Sequence, residues 1–274
     1  MIDYSNVKLV VTDMDGTLLH TDYSLNPEFF DLYKQLKELQ IQFVVASGRQ
    51  YDSLASIFNP IKNEIYFISE NGGNVIFRDK KIFVGELSQE LINKVVDALE
   101  NLPGTEILLC GVKSAYMVDE KKEFEKFVAP YYPKRKFVSN FREPINDDQI
   151  VKIAVFNTKG SEENVYPLVE HLKEDYLVKV SGKNWLDISI KDSNKGKALQ
   201  IVQRLLGIHK EETMAFGDYL NDLEMIQESK FSFAMENSHP YLKENANYVT
   251  KTNDEDGVLC VLKEMIKQRK DATK

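Results

Sequence analysis

The clearest pattern along the chain is a series of short, wholly apolar runs, each of which stops on small or polar residues. Leu9-Val10-Val11-Thr12 ends in Asp13-Met14-Asp15-Gly16-Thr17, Ile41 to Ala46 ends in Ser47-Gly48-Arg49, and Ile65 to Ile68 ends in Ser69-Glu70-Asn71-Gly72-Gly73. Runs this short and β-branched read as buried strands of a parallel sheet. Between the first two, Phe29, Leu32, Tyr33, Leu36 and Leu39 recur at helical spacing. That helix follows an Asn26 cap, with Pro27 at its first position and Glu28 in its first turn. Leu54, Ile57 and Phe58 mark a second, shorter helix. The alternation predicts an α/β fold whose core is a doubly wound, Rossmann-like parallel sheet with right-handed crossovers.

From about Asn74 the rhythm changes. Asn74 to Phe77 and Ile82 to Leu87 flank Arg78-Asp79-Lys80-Lys81 as a hairpin. Ser88 to Asn101 is helical, with Leu91, Val95 and Leu99 on one face. Extended segments from Thr105 to Val112 and from Ala115 to Asp119 follow, then a charged helix from Glu120 to Val128. Pro130 to Asp148 is irregular. Strand Lys152 to Asn157, helix Glu162 to Glu174, and strands Tyr176 to Ser181 and Leu186 to Ile190 come next. These predict an inserted mixed α+β cap over residues 85–189. Residues 1–84 and 190–274 then form the core.

The first rhythm returns at Ser193. Asn194-Lys195-Gly196-Lys197 opens a helix through Leu206, and strand Thr213 to Phe216 ends in Gly217-Asp218-Tyr219-Leu220-Asn221-Asp222. A helix from Asp222 to Gln227, strands Phe231 to Met235 and Tyr248 to Thr250, and a closing helix from Gly257 to Lys267 complete the pattern.

Composition narrows the classes. With 274 residues, 43% hydrophobic and 28% charged, the chain can bury a core and exceeds the usual single-domain size. A net charge of −8 disfavours a nucleic-acid or anionic-membrane partner, which requires a basic footprint. It leaves room for a small anionic substrate. The two cysteines, Cys110 and Cys260, lack metal-ligand or redox spacing and read as small buried hydrophobes in a reducing compartment, not as a disulfide. No apolar run reaches membrane-span length and the N-terminus lacks signal-peptide features, so a cytoplasmic location is expected.

The strand ends carry the chemistry. Ligands of open α/β sheets bind at the carboxyl ends of the strands. Asp13 and Asp15, two apart, would share one side of an extended strand and repel unless a cation or proton intervened. Hard oxygen ligands of this kind favour Mg²⁺. Asp13 suits a nucleophile on phosphorus, and Asp15 suits a general acid and base. Ser47 offers a hydroxyl, Lys195 a compact cation, and Asp218 a further hard ligand with Asn221 and Asp222 behind it. Taken singly, each has a plainer reading: an acidic turn, a Ser-Gly turn, a solvated helix lysine, an N-cap with an acidic first turn.

In combination, Asp13-Met14-Asp15-Gly16-Thr17, Ser47-Gly48-Arg49, Lys195-Gly196 and Gly217-Asp218-Tyr219-Leu220-Asn221-Asp222 resemble the four motifs of the haloacid dehalogenase superfamily of phosphohydrolases. Ser69-Glu70-Asn71-Gly72-Gly73, Ala234-Met235-Glu236-Asn237-Ser238 and Thr252-Asn253-Asp254-Glu255-Asp256-Gly257-Val258 look like its Cof-type branch, with a large α/β cap. Glu236 and Ser238 are mild departures from that pattern. The resemblance implies a Mg²⁺-dependent phosphatase acting on small phosphorylated metabolites, sugar phosphates foremost. It implies metal on the Asp13 carboxylate, the Asp15 carbonyl and Asp218, with Asp222 in support. Asp13 would be the nucleophile and Asp15 the acid/base. Phosphate would be held by Ser47, Lys195, Asn221 and amides near Met14 and Gly48, with Arg49 a substrate contact at the pocket edge.

Two other functions share these residues. A phosphosugar mutase could pass phosphate from an aspartyl phosphate back to a sugar, and a non-catalytic protein could accept phosphate or bind a metabolite. Intact motif residues weigh against the second. Nothing in the insertion names a substrate, and Trp185, where the insertion returns to the core, reads as a packing residue first, with stacking on a sugar the lesser alternative. Oligomeric state is not legible.

Overall fold

The computed structural model describes residues 2–118, 122–129, 132–142 and 145–272. Asp119 at the end of an expected strand, Glu120 at the start of an expected helix and Pro130 lie outside them.

The first part of the chain runs β1 (Leu9–Thr12), α1 (Glu28–Glu38), β2 (Gln42–Ala46), α2 (Tyr51–Ile57), β3 (Tyr66–Ser69), β4 (Asn74–Phe77) and β5 (Lys80–Val84). The middle runs α3 (Gln89–Leu99), β6 (Thr105–Gly111), β7 (Ala115–Val118), α4 (Lys122–Val128), β8 (Arg135–Val138), β9 (Ile150–Asn157), α5 (Ser161–Asn164), α6 (Tyr166–Val169), β10 (Tyr176–Val180) and β11 (Trp185–Ile190). The last part runs α7 (Lys195–Leu206), β12 (Thr213–Gly217), α8 (Leu223–Gln227), β13 (Phe231–Met235), α9 (Pro240–Asn245), β14 (Tyr248–Thr250) and α10 (Gly257–Asp271).

One sheet has the order β14-β13-β12-β1-β2-β3-β4-β5, parallel from β14 to β3 with an antiparallel hairpin at the edge. β1 sits mid-sheet and is buried on both faces. Val10 joins a core with Phe29, Leu36, Phe58 and Leu262, while Leu9 and Val11 join another with Ala198, Leu199, Val202 and Ile226. Helices thus cover both faces, which is why this strand carries no polar alternation.

The second sheet has the order β10-β11-β9-β6-β7-β8, antiparallel except for the β7–β8 pair. One face (Ile107, Leu109, Ile153, Val155, Leu186, Ile188) packs on Leu91 and Val95 of α3, Val165 between α5 and α6, and Val169 of α6. The other face packs Leu108, Cys110 and Ala154 on Val128 and Tyr132. At the β10–β11 end this same face lies over the carboxyl edge of the parallel sheet.

Three local expectations are corrected. The helix expected from Glu162 to Glu174 is broken into α5, α6 and a 3₁₀ turn, because Pro167 lacks an N–H and disfavours helical backbone in the residue before it. The β4–β5 hairpin turns on only two residues, Arg78 and Asp79, both left-handed (φ 52° and 58°), so Lys80 and Lys81 belong to the strand. The stretch read as irregular contains β8, which pairs with β7. In addition, β11 runs to Ile190, one residue beyond the expected edge of the insertion. No helix among the described residues is long and apolar enough to cross a membrane.

Candidate active site

Where β1 ends, the backbone leaves the ladder in an irregular turn over Met14–Leu18, with Gly16 at φ 75°. A Cβ at Gly16 would lie 2.4 Å from Asp218 Oδ2, so only glycine lets this turn approach the end of β12. The turn is tied down from two loops distant in sequence. Asn237 Nδ2 donates to the Gly16 carbonyl (2.8 Å), and Asn253 donates through its amide N–H to Asn237 Oδ1 (3.2 Å) and through Nδ2 to the Leu19 carbonyl (2.9 Å).

Asp13 is almost fully buried, and its Oδ1 accepts a hydrogen bond from Lys195 Nζ at 2.5 Å. The same ammonium donates to Asp222 Oδ1, also at 2.5 Å. Asp222 Oδ2 accepts from the backbone N–H groups of Asp218 (3.0 Å) and Tyr219 (3.2 Å), which fixes the turn that presents Asp218. Asn194 caps α7 by accepting from the Lys197 N–H, and this sets Lys195 at the first helical position.

Oxygens of Asp13, Asp218 and Asp222 lie within 4.8 Å of one another. Lys195 pairs with two of these three carboxylates, Asp13 and Asp222, while Asp218 accepts a hydrogen bond from Thr17 Oγ1 (3.3 Å). Burial pushes the Asp13 carboxyl well above its usual range, and the neighbouring Asp222 and Asp218 reinforce this against the pull of Lys195. Burial and Asp222 raise Asp218 to about 6. Excess negative charge on hard oxygen donors is the environment a divalent cation relieves, so the donor set fits Mg²⁺.

Arg49 Nε donates to Asp15 Oδ2 at 2.7 Å, and its Nη2 donates to Oδ1, forming a two-pronged pair across the mouth of the site. The turn after β3 holds the β2 loop in place. Asn71 donates its N–H to the Ser47 carbonyl (3.0 Å), Glu70 donates its N–H to the Arg49 carbonyl (3.1 Å), and Asn71 Oδ1 accepts from Asn221 Nδ2 (3.1 Å). Glu70 also forms an ion pair with Lys152 of β9 (2.7 Å), both nearly completely buried.

Asp13, Asp15, Ser47, Gly48, Arg49, Asp218 and Asn221 all line one cavity of about 360 Å³, roofed by Tyr132, Leu177, Lys179, Trp185 and Asp187 of the second sheet and its loops. Trp185, expected to be a packing residue, lines this cavity and also packs edge-on against Phe156. Lys195 and Asp222 do not reach the cavity surface; they stand behind Asp13, fully buried. The Met14 side chain points into the hydrophobic core, so only its backbone is available to a ligand. Asn71, Asn237 and Asn253 support the site through these hydrogen bonds, although sequence reasoning does not mark them as site residues. Their signal was present in the motif-like runs that contain them.

A parallel sheet with a carboxylate cluster at its carboxyl edge, roofed by a second sheet, has the layout of an α/β enzyme whose site lies between the two sheets. The chain belongs to the haloacid dehalogenase-like hydrolases: the family model matches residues 10–262. It is 38% identical over 269 residues to the Escherichia coli 5-amino-6-(5-phospho-D-ribitylamino)uracil phosphatase YbjI, covering 96% of this chain and 97% of that protein. It is 24% identical over 263 residues to the Bacillus subtilis phosphatase YcsE, which bears the same activity name, covering 95% and 96% of the two chains. The crystal structure of SMU.1108c from Streptococcus mutans matches with a TM-score of 0.84 and 31% identity, covering 94% of this chain and 98% of that one. The protein is a phosphatase of the Cof-type branch.

Proposed function

We propose that the protein is a Mg²⁺-dependent phosphatase that hydrolyses small phosphorylated metabolites, sugar phosphates among them, through an aspartyl-phosphate intermediate. The observation that carries this reading is the cluster of Asp13, Asp218 and Asp222, with Lys195 paired to Asp13 and Asp222 behind the floor of a cavity whose rim holds Asp15, Ser47 and Arg49. Residues 1–84 and 190–274 act as the catalytic core in this reading, and 85–189 as the cap that selects the leaving group.

Lys195 holds Asp13 Oδ1, which leaves the other oxygen free to attack phosphorus. As the P–O ester bond breaks, Asp15 gives its proton to the leaving oxygen. It then takes one from the water that attacks the phosphoryl-aspartate, releasing phosphate and regenerating Asp13. Arg49 holds Asp15 in the ligand-free site, and in this reading it turns to the substrate phosphate on binding, freeing Asp15 to carry a proton. Ser47, Asn221 and the amides of Met14 and Gly48 orient the phosphoryl oxygens, and Lys195 acts on them through Asp13. Mg²⁺ held by Asp13, Asp218 and the Asp15 carbonyl, with Asp222 in support, would neutralise phosphoryl charge.

The relatives' activity name makes 5-amino-6-(5-phospho-D-ribitylamino)uracil the first substrate to test here. The cavity is of a size that takes small ligands. The experiment is phosphate release with Mg²⁺ over that compound, sugar phosphates, nucleotides and pyridoxal phosphate, together with acid-quench trapping of labelled phosphate on Asp13. Turnover without any trapped label, under conditions that slow hydrolysis, would overturn the covalent mechanism.

A further inference from the structure

The roof of the cavity carries charges that the phosphoryl chemistry does not use. Lys179 and Asp187 are direct partners across the antiparallel β10–β11 ladder, so their side chains leave the same face of the cap sheet. Both line the cavity, as does Glu224, which comes from α8 on the core side. Each carboxylate is near enough for its charge to act on Lys179. Yet neither pairs or hydrogen-bonds with it among the described residues, and Glu224 Oε2 is buried with no hydrogen-bond partner. The other roof cation, Lys152, is already neutralised by Glu70.

This part of the cavity therefore holds one unpaired cation and two unpaired carboxylates. Partly buried ionic groups held apart across an open space are each short of a hydrogen-bond partner. A neutral, hydroxyl- or amino-bearing group inserted there accepts from Lys179 and donates to Asp187 and Glu224. A second anion on the same group meets one lysine and two desolvated carboxylates, and like charges brought together in such a site are strongly disfavoured.

We propose that Lys179, Asp187 and Glu224 select the leaving group by charge: neutral polyol-like or amino-bearing phosphate esters are admitted, and esters carrying a second anionic group are rejected. The inference rests on the reading of this cavity as the leaving-group site of a small phosphate ester. It adds to that reading a rule which the catalytic residues alone do not impose.

The test compares kcat/KM for matched substrates with Mg²⁺ present: glucosamine 6-phosphate, glucose 6-phosphate and 6-phosphogluconate, and fructose 6-phosphate against fructose 1,6-bisphosphate. The wild-type protein should favour each neutral or amino member over its doubly anionic partner by tenfold or more. Asp187→Asn and Glu224→Gln, both near-isosteric, should each narrow that ratio at least fivefold, and Lys179→Met should widen it. Turnover of both members at similar efficiency by the wild-type protein overturns the inference and leaves the phosphatase reading standing. Wild-type discrimination that all three variants keep unchanged overturns the assignment to these residues. If the folded, Mg²⁺-supplied protein turns over none of the panel, the sugar-phosphate reading fails and the inference falls with it.

Discussion

Lys152 Nζ, on the cap sheet, lies 2.7 Å from Glu70 Oε2, on the turn that supports the Ser47 loop of the core, and both side chains are nearly completely buried. Burial pushes the Glu70 carboxyl up even against the attraction of Lys152, so the pair is strongly desolvated. Removing one partner strands the other. Glu70→Gln or Lys152→Met alone should destabilise the protein by about 3–5 kcal/mol, whereas the two together should recover much of that loss. Thermal unfolding of the three variants checks this; additive losses would mean that the two residues act independently.

Asp13→Asn keeps the shape of the side chain and removes its nucleophilicity. Turnover should fall about a hundredfold or more with the fold retained. Steady-state assays and circular dichroism measure the two halves of that statement, with mass spectrometry to exclude deamidation.

Chelation should abolish activity and added Mg²⁺ should restore it. Ca²⁺ should inhibit, because its longer bonds and higher coordination number let it take both Asp13 oxygens and hold the nucleophile back. Full activity in exhaustively stripped protein would count against the metal site.

Gly16→Ala places a Cβ 2.4 Å from Asp218 Oδ2 on a backbone at φ 75°. The left-handed conformation alone costs a non-glycine residue about 1–2 kcal/mol. Because the clash falls on an expected metal ligand, the Mg²⁺ concentration for half-maximal activity should rise severalfold. A Mg²⁺ titration of activity decides whether the effect is on the metal or on stability alone.

Cys110 is fully buried, as expected, and burial raises its thiol pKa strongly; Cys260, also expected to be buried, is instead partly accessible near the start of α10. A thiol reagent should label Cys260 alone in the native protein and both cysteines after denaturation. Protection of both under native conditions would contradict the accessibility of Cys260.

The parallel core was legible because its strands are buried on both faces and so appear as uninterrupted apolar runs ending in polar turns. Asp13 and Asp15 stood out by that interruption. Their present partners did not: Lys195 lies 182 positions from Asp13 and Arg49 lies 34 from Asp15, distances over which local periodicity carries no information. Lys195 reads in sequence as a ligand for phosphate oxygens; the structure adds that its two side-chain contacts are carboxylates, since an ammonium at the buried start of α7 needs counter-charge from β1 and the Asp222 turn. The cap sheet was harder to read. Its order sets β9 between β6 and β11, and neither pairing follows from adjacency in the chain. The charged groups on its inner face, Lys179 and Asp187, look in sequence like ordinary solvent-facing residues of an alternating strand.

The two crossings between the sheets lie side by side: a Cβ on Gly85, just after β5, would sit 2.7 Å from Ser193 Oγ, just before α7. This closeness bears on folding kinetics. β1 pairs with both β2 and β12, so the parallel sheet must bring together segments separated by the entire insertion. If the cap forms first, its two ends are already side by side, and the core closes as though joined by a short link. On loop-closure grounds that shortcut is worth about 3 kcal/mol of entropy at the moment of pairing. Mutations that slow cap formation, such as those in the α3–β9 core, should therefore also slow assembly of a sheet they do not touch.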